Sequence, residues 1–82
     1  MAMGAAHTDH ALAYFDEATN LAQQLGMRPL VARCRLGLGE LHAQRGKREQ
    51  AREELTTATT LLREVGMTYW LEQAEAKLRQ LL

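Results

Sequence analysis

The chain has 82 residues, 46% of them hydrophobic, with one proline and with ten basic residues balanced by ten acidic ones. That length holds a single small domain, and the prevalence of Ala, Leu, Glu, Gln and Arg, all strong helix formers, makes an all-α protein the expectation. Zero net charge removes the field on which non-specific nucleic-acid or anionic-membrane binding relies. The lone Cys34 rules out an internal disulfide framework, and no apolar run approaches the roughly 20 residues that span a bilayer, so a cytoplasmic protein is expected.

Residues 1–7, MAMGAAH, show neither periodicity nor a signal-peptide core, and are expected to form a disordered leader outside the fold. From Thr8, apolar residues at Ala11, Leu12, Phe15, Ala18, Leu21, Ala22 and Leu25 keep to one helical face, predicting a first helix over about 8–25 that stops at Gly26. Pro29 suits a first helical turn, where its missing N–H costs nothing. Leu30, Val31, Cys34, Leu38 and Leu41 extend that second helix over about 29–45, up to Gly46. Ala51, Leu55, Ala58, Leu61, Leu62 and Val65 predict a third over about 48–65, closed by Gly66. Trp70, Leu71, Ala74, Leu78, Leu81 and Leu82 predict a fourth over about 68–82. No segment alternates with the period of a strand. Links this short fold each helix back antiparallel on its neighbour.

The chain also repeats itself. At an offset of 40 residues Ala11 aligns with Ala51, Ala18 with Ala58, Thr19 with Thr59, Leu21 with Leu61, Gly26 with Gly66, Met27 with Met67, Leu38 with Leu78 and Leu41 with Leu81. Phe15/Leu55, Leu25/Val65, Val31/Leu71 and Cys34/Ala74 keep their apolar character in the same register. Two helices per unit at such a period mark a helical solenoid.

Leu38-Gly39, His42, Gly46, Ala51, Leu55 and Ala58 resemble the tetratricopeptide repeat, with Leu-Gly, an aromatic place three on, a turn glycine, then Ala, a large apolar residue and Ala. Ala11, Phe15 and Ala18 match its second-helix half, and Leu78 matches the first-helix half of the next unit. Four positions depart from the pattern: His42 stands for the aromatic, Arg35 where a Trp is common, Arg63 for the closing Pro, and Arg79 for the Gly that should follow Leu78. Without that proline the second helix can run on, which accounts for a period longer than the family's 34. The resemblance covers residues 8–82 and is nearest to arrays in bacterial multidomain signalling ATPases and cyclase-like proteins. It implies antiparallel helical hairpins stacked as a right-handed solenoid of four helices, read as a piece of a longer array.

Gly37, Gly39 and Gly46, followed by Lys47, raise the alternative of a phosphate loop. The spacing does not fit, because such a loop needs four residues between its glycines and a hydroxyl after the lysine, where Arg48 stands. The dinucleotide fingerprint fails too, since its third glycine would fall at His42 and no strand precedes it. Gly39 is instead expected to let a neighbouring helix approach closely. His7, Asp9 and His10 are the nearest thing to a metal cluster, but a zinc site needs three or four ligands, so no metal is expected. Cys34 aligns with Ala74 and is expected to be a small buried residue. Among Thr56, Thr57, Thr59 and Thr60, the repeat of Thr19 by Thr59 points to packing or back-bonding. Arg48, Glu49, Arg52, Glu53 and Arg63 read as a solvated face with i,i+4 pairs. No acid–base pair or activated nucleophile can be assembled, so neither an enzyme nor a cofactor is expected.

The resemblance implies a protein-interaction module in which the first helix of each repeat lines a groove for a peptide or helix. By position, the groove residues are Arg33, Leu36, Glu40, Ala43 and Gln44 with Gln73, Ala76 and Gln80. Leu36 and Glu40 stand where binders of chaperone tails carry Lys and Asn, which argues against that ligand. The order of half-repeats leaves both end helices unfinished, so a homo-oligomer through helix one and helix four, a dimer first of all, is the second expectation. Leu12, Tyr14 and the Leu21/Ala22 edge leave helix one the less protected end. A DNA-binding helix-turn-helix is a remote third, opposed by the neutral charge and the equal-length antiparallel helices.

Overall fold

A computed structural model describes residues 3–81, with side chains described from His10 onward. Four helices follow one another, α1 (Met3–Gln24), α2 (Arg28–Gln44), α3 (Arg48–Val65) and α4 (Thr68–Leu81), and no strand occurs among the described residues. Three of the four fall where the periodicity puts them, to within a residue. Helix α1 differs: it starts at Met3 and not at Thr8, because the Gly-Ala-Ala segment holds no proline or other stop signal. Residues 3–7, expected outside the fold, are thus part of its span, while Met1, Ala2 and Leu82 lie outside the described residues.

The three connections are one turn used three times, at intervals of 20 residues: Gly26, Gly46 and Gly66 take φ of 70°, 76° and 76°. In each, the glycine N–H donates to the carbonyl three residues back, at Gln23, Ala43 and Arg63. The N–H of the following residue, Met27, Lys47 or Met67, donates to the carbonyl five back, at Ala22, His42 or Leu62, over 2.8–2.9 Å. This pair of bonds closes the helix end around a left-handed residue, a conformation that costs an L side chain about 1–2 kcal/mol. The residue after the glycine then accepts from the N–H four places on (Val31, Ala51, Leu71), which starts the next helix.

Helix α2 lies at the centre. It packs on α1 and on α3 and touches α4, α3 packs on α4, and α1 reaches neither α3 nor α4. The array is therefore an open stack; a bundle would close first helix on last. Its shortest extent, 19 Å of 39 × 31 × 19 Å, is two helices thick.

Two glycines bring α2 close to its neighbours. A Cβ on Gly39 would lie 2.6 Å from Leu55 Cγ of α3, and one on Gly37 would lie 2.7 Å from Phe15 Cε1 of α1. Gly39 thus has the packing role expected of it. The role of Gly37 was not expected.

The core is Ala32, Leu36, Leu55, Ala58, Leu62 and Ala74, edged by Trp70, Leu71, Leu78 and Leu81. Residues 40 apart keep the same environment at Thr19/Thr59, Ala22/Leu62 and Cys34/Ala74, all buried. Both buried threonines bond back to their own helix, Thr19 Oγ1 donating to Phe15 O at 2.6 Å and Thr59 Oγ1 to Thr56 O at 2.7 Å. The i,i+4 pairs expected on α3 are replaced by bonds to α4: Arg63 pairs with Glu75 at 3.3 Å and Arg48 Nη2 donates to Leu81 O at 2.6 Å.

Leu21 and Leu25 correct the expected α1 stripe, being 56% and 63% exposed. At about 100° per residue, the stripe Tyr14, Ala18, Leu21, Leu25 lies roughly a quarter turn from Ala11, Phe15 and Ala22, and α2 covers only the latter. Leu30, expected in the α2 stripe, is exposed in the first turn of α2, where it lines the cleft between α1 and α4.

Gly39→Ala is expected to lower stability by about 1–2 kcal/mol, because overlap with Leu55 outweighs the helix-propensity gain near 1 kcal/mol. Gly37→Ala should be close to neutral, since the half-buried Phe15 ring has room to turn away. Urea denaturation of the two variants checks this; a stabilised Gly39→Ala protein would contradict the close approach.

Candidate interaction grooves

Two grooves open on the α2 surface that the repeat pattern singles out. The larger is a cleft of about 420 Å³ between α1 and α4, with α2 as its floor. Tyr14, Phe15 and Ala18 form the α1 wall, Trp70 the α4 wall, and Leu30, Cys34 and Gly37 much of the floor. The smaller, about 310 Å³, lies between the C-terminal halves of α2 and α4 and is lined by Glu40, Ala43, Gln44, Lys77 and Gln80. Glu40 borders both grooves.

The structure divides the expected groove residues among three settings. Glu40, Ala43, Gln44 and Gln80 come together in the smaller groove. Arg33 and Leu36 line the larger cleft, but Leu36 is only 5% exposed and belongs to the core between α2, α3 and α4. It is a floor residue more than a free apolar contact. Gln73 and Ala76 line neither groove. Lys77 was not expected, although its place four residues after Gln73 and three before Gln80 puts it on the same helical face.

Charge in these grooves is largely satisfied internally. The Arg33 guanidinium sits 4.4 Å from the centroid of the Trp70 ring, a geometry in which the ring quadrupole attracts the cation. Lys77 Nζ lies 3.7 Å from Glu40 Oε2. These two contacts are the polar stitches between α2 and α4. Behind α2, Arg35 Nη1 donates to Glu54 Oε1 at 3.0 Å, joining α2 to α3, and Arg28 pairs with Glu64 at the other end of α3.

Among the described residues, buried side-chain nitrogens without a hydrogen-bond partner are Arg35 Nε and His42 Nδ1. Both belong to positions where the chain departs from the tetratricopeptide pattern. Cys34 is buried, as its repeat partner Ala74 is. No group of three or more metal-ligating side chains occurs among the described residues; the His7 and Asp9 side chains lie outside them. No described helix is long and apolar enough to cross a membrane.

Comparison with known proteins adds nothing to this geometry: no family model, curated protein or solved structure matches the chain.

Two measurements test the site. In a double-mutant cycle of Arg33→Ala and Trp70→Ala, a coupling of about 0.5–1 kcal/mol in unfolding free energy is expected, and zero coupling would deny the cation–ring contact. Replacing His42 by Phe removes a buried unpaired nitrogen and should stabilise the fold by about 1 kcal/mol, read as a higher urea midpoint; a lower midpoint would mean that the imidazole has a partner.

Proposed function

We propose that this chain is a tetratricopeptide-like interaction module that holds an extended or helical segment of a protein partner on the α2/α4 face. The observation that carries the reading is the convergence of Glu40, Ala43, Gln44 and Gln80, chosen by their place in the repeat, on one 310 Å³ groove. Short side chains and amides line it: Ala43 leaves room for a ligand side chain, and Gln44 and Gln80 offer both donors and acceptors. With Glu40 and Lys77 paired to each other, the groove presents no net charge to a ligand. A neutral, amide-rich segment suits it better than an acidic chaperone tail or a nucleic-acid backbone, both of which need unpaired cations.

Three further features support a solenoid unit. The turns recur every 20 residues with one hydrogen-bond pattern, the helices pack in sequence without closing, and buried residues recur 40 apart. Each half-repeat then leans on its neighbours, as in quasi-one-dimensional arrays.

Selection of ligands from a displayed random-peptide library, followed by amide-shift mapping, tests this. A selected peptide is expected to perturb Glu40, Ala43, Gln44 and Gln80, and Ala43→Arg should weaken it by about tenfold or more. A library that yields no ligand, or ligands that map to the outer face of α3 around Arg52 and Thr56, would overturn the proposal.

A further inference from the structure

One contact closes the smaller groove on itself. Of the residues that line it, Glu40 on α2 and Lys77 on α4 carry charge, and Lys77 Nζ lies 3.7 Å from Glu40 Oε2, so the pair reaches from one wall to the other. Ala43, Gln44 and Gln80 follow it toward the C-terminal ends of the same two helices. A segment laid along the groove past this point either rides over the bridge or opens it.

The bridge opens at little cost. At 3.7 Å it is longer than a hydrogen bond, and its two side chains are 42% and 40% exposed, whereas Arg35 and Glu54, which join α2 to α3, meet at 3.0 Å and are 28% and 20% exposed. An exposed pair of this kind holds its partners only weakly. Nor does the fold rest on it, because α2 and α4 are both packed on α3 and share a core with it through Leu36, Leu55, Leu62 and Ala74.

Opened, the pair leaves an anion on the α2 wall and a cation on the α4 wall. The walls then differ in sign although the groove as a whole stays neutral. A groove of about 310 Å³ takes in side chains of an extended segment more readily than a turn of helix, which fills roughly 400 Å³ or more at 5.4 Å by 10 Å. Successive side chains of an extended segment point to opposite sides, so two adjacent residues meet opposite walls. An acidic residue toward Lys77 and a basic neighbour toward Glu40 replace one exposed bridge with two that the ligand covers. A segment with only one of these charges leaves the charge of the other wall covered and unpaired, which is costly.

We infer that Glu40 and Lys77 are the specificity-determining pair of this groove, and that the segment it selects carries an acidic residue directly beside a basic one within an otherwise amide-rich stretch. The inference rests on the α2/α4 groove being the peptide site and adds the order of charges that the site reads. Such a segment has no net charge, in keeping with a groove that has none.

Selection from a displayed random-heptapeptide library, run in parallel on the whole chain and on its Glu40→Lys, Lys77→Glu double variant, tests this, with circular dichroism as the folding control. The variant keeps the bridge with its polarity reversed, so an unchanged helical signal is expected. Peptides selected on the wild type are expected to contain an adjacent acid and base and to bind the variant about tenfold or more weaker. Exchanging the two charged residues within the peptide should restore binding to the variant. Both peptides have one composition and one net charge, so neither general electrostatic attraction nor a loosened fold produces that reversal. If the double variant loses helical signal, Lys77→Gln takes its place: it should weaken the acid–base peptide and leave unchanged the same peptide with its acid replaced by Gln. Selected peptides without the pair, peptides that bind both proteins alike, or a folded variant that recovers neither order overturn the charge reading and leave the groove reading standing. A library that yields no ligand for the wild type overturns both.

Discussion

The close approach of α2 to α3 at Gly39 is the contact on which the rest of the structure depends. Gly37 and Gly39 are two residues apart, hence about 200° apart around the helix, and so face opposite sides. One admits the Phe15 ring of α1 and the other the Leu55 side chain of α3. The roughly 1 kcal/mol that each glycine costs in a helix interior is offset by burial of large side chains, Leu55 being 1% exposed. A chain this small has a limited core, and α2 carries it across to α3 and α4 through Ala32 and Leu36.

An open stack follows, and with it two ends of unlike chemistry. Three equivalent turns reverse the chain by the same operation, so each helix meets its predecessor and its successor, while α1 and α4 never meet. Helix α4 ends the stack with Glu72, Gln73, Arg79 and Gln80 exposed. Helix α1 ends it with Tyr14, Leu21 and Leu25 exposed. A polar end is content in water; an apolar stripe of three large side chains on one helical face is the kind of surface that marks an interaction site.

These two chemistries lie on separate surfaces of one small scaffold. The α2/α4 groove is lined by short side chains and amides, and its two charges, Glu40 and Lys77, pair with each other. The α1 side is apolar, with Tyr14, Leu21 and Leu25 exposed. Both grooves have α2 as their floor, and Cys34, which lines the larger one, is buried.

Much of this was legible in the sequence, because the signals involved are local. Periodic apolar positions, Gly26, Gly46 and Gly66 as helix stops, and Pro29 in a first turn act within a few residues of themselves, and the helices lie close to where these signals put them. Of the eight groove positions implied by the resemblance to the tetratricopeptide repeat, Glu40, Ala43, Gln44 and Gln80 line the smaller groove together. Periodicity does not say which of two adjacent stripes on one helix meets a neighbour. Leu21 and Leu25 therefore read as core, and only the placement of α2 against Ala11, Phe15 and Ala22 left them outside. The same limit hid the role of Gly37, the burial of Leu36 between three helices, and the pairing of Arg33 with Trp70. Each depends on the rotation of one helix against another that is distant in the chain, and that rotation is set by the fit of side chains across the whole interface.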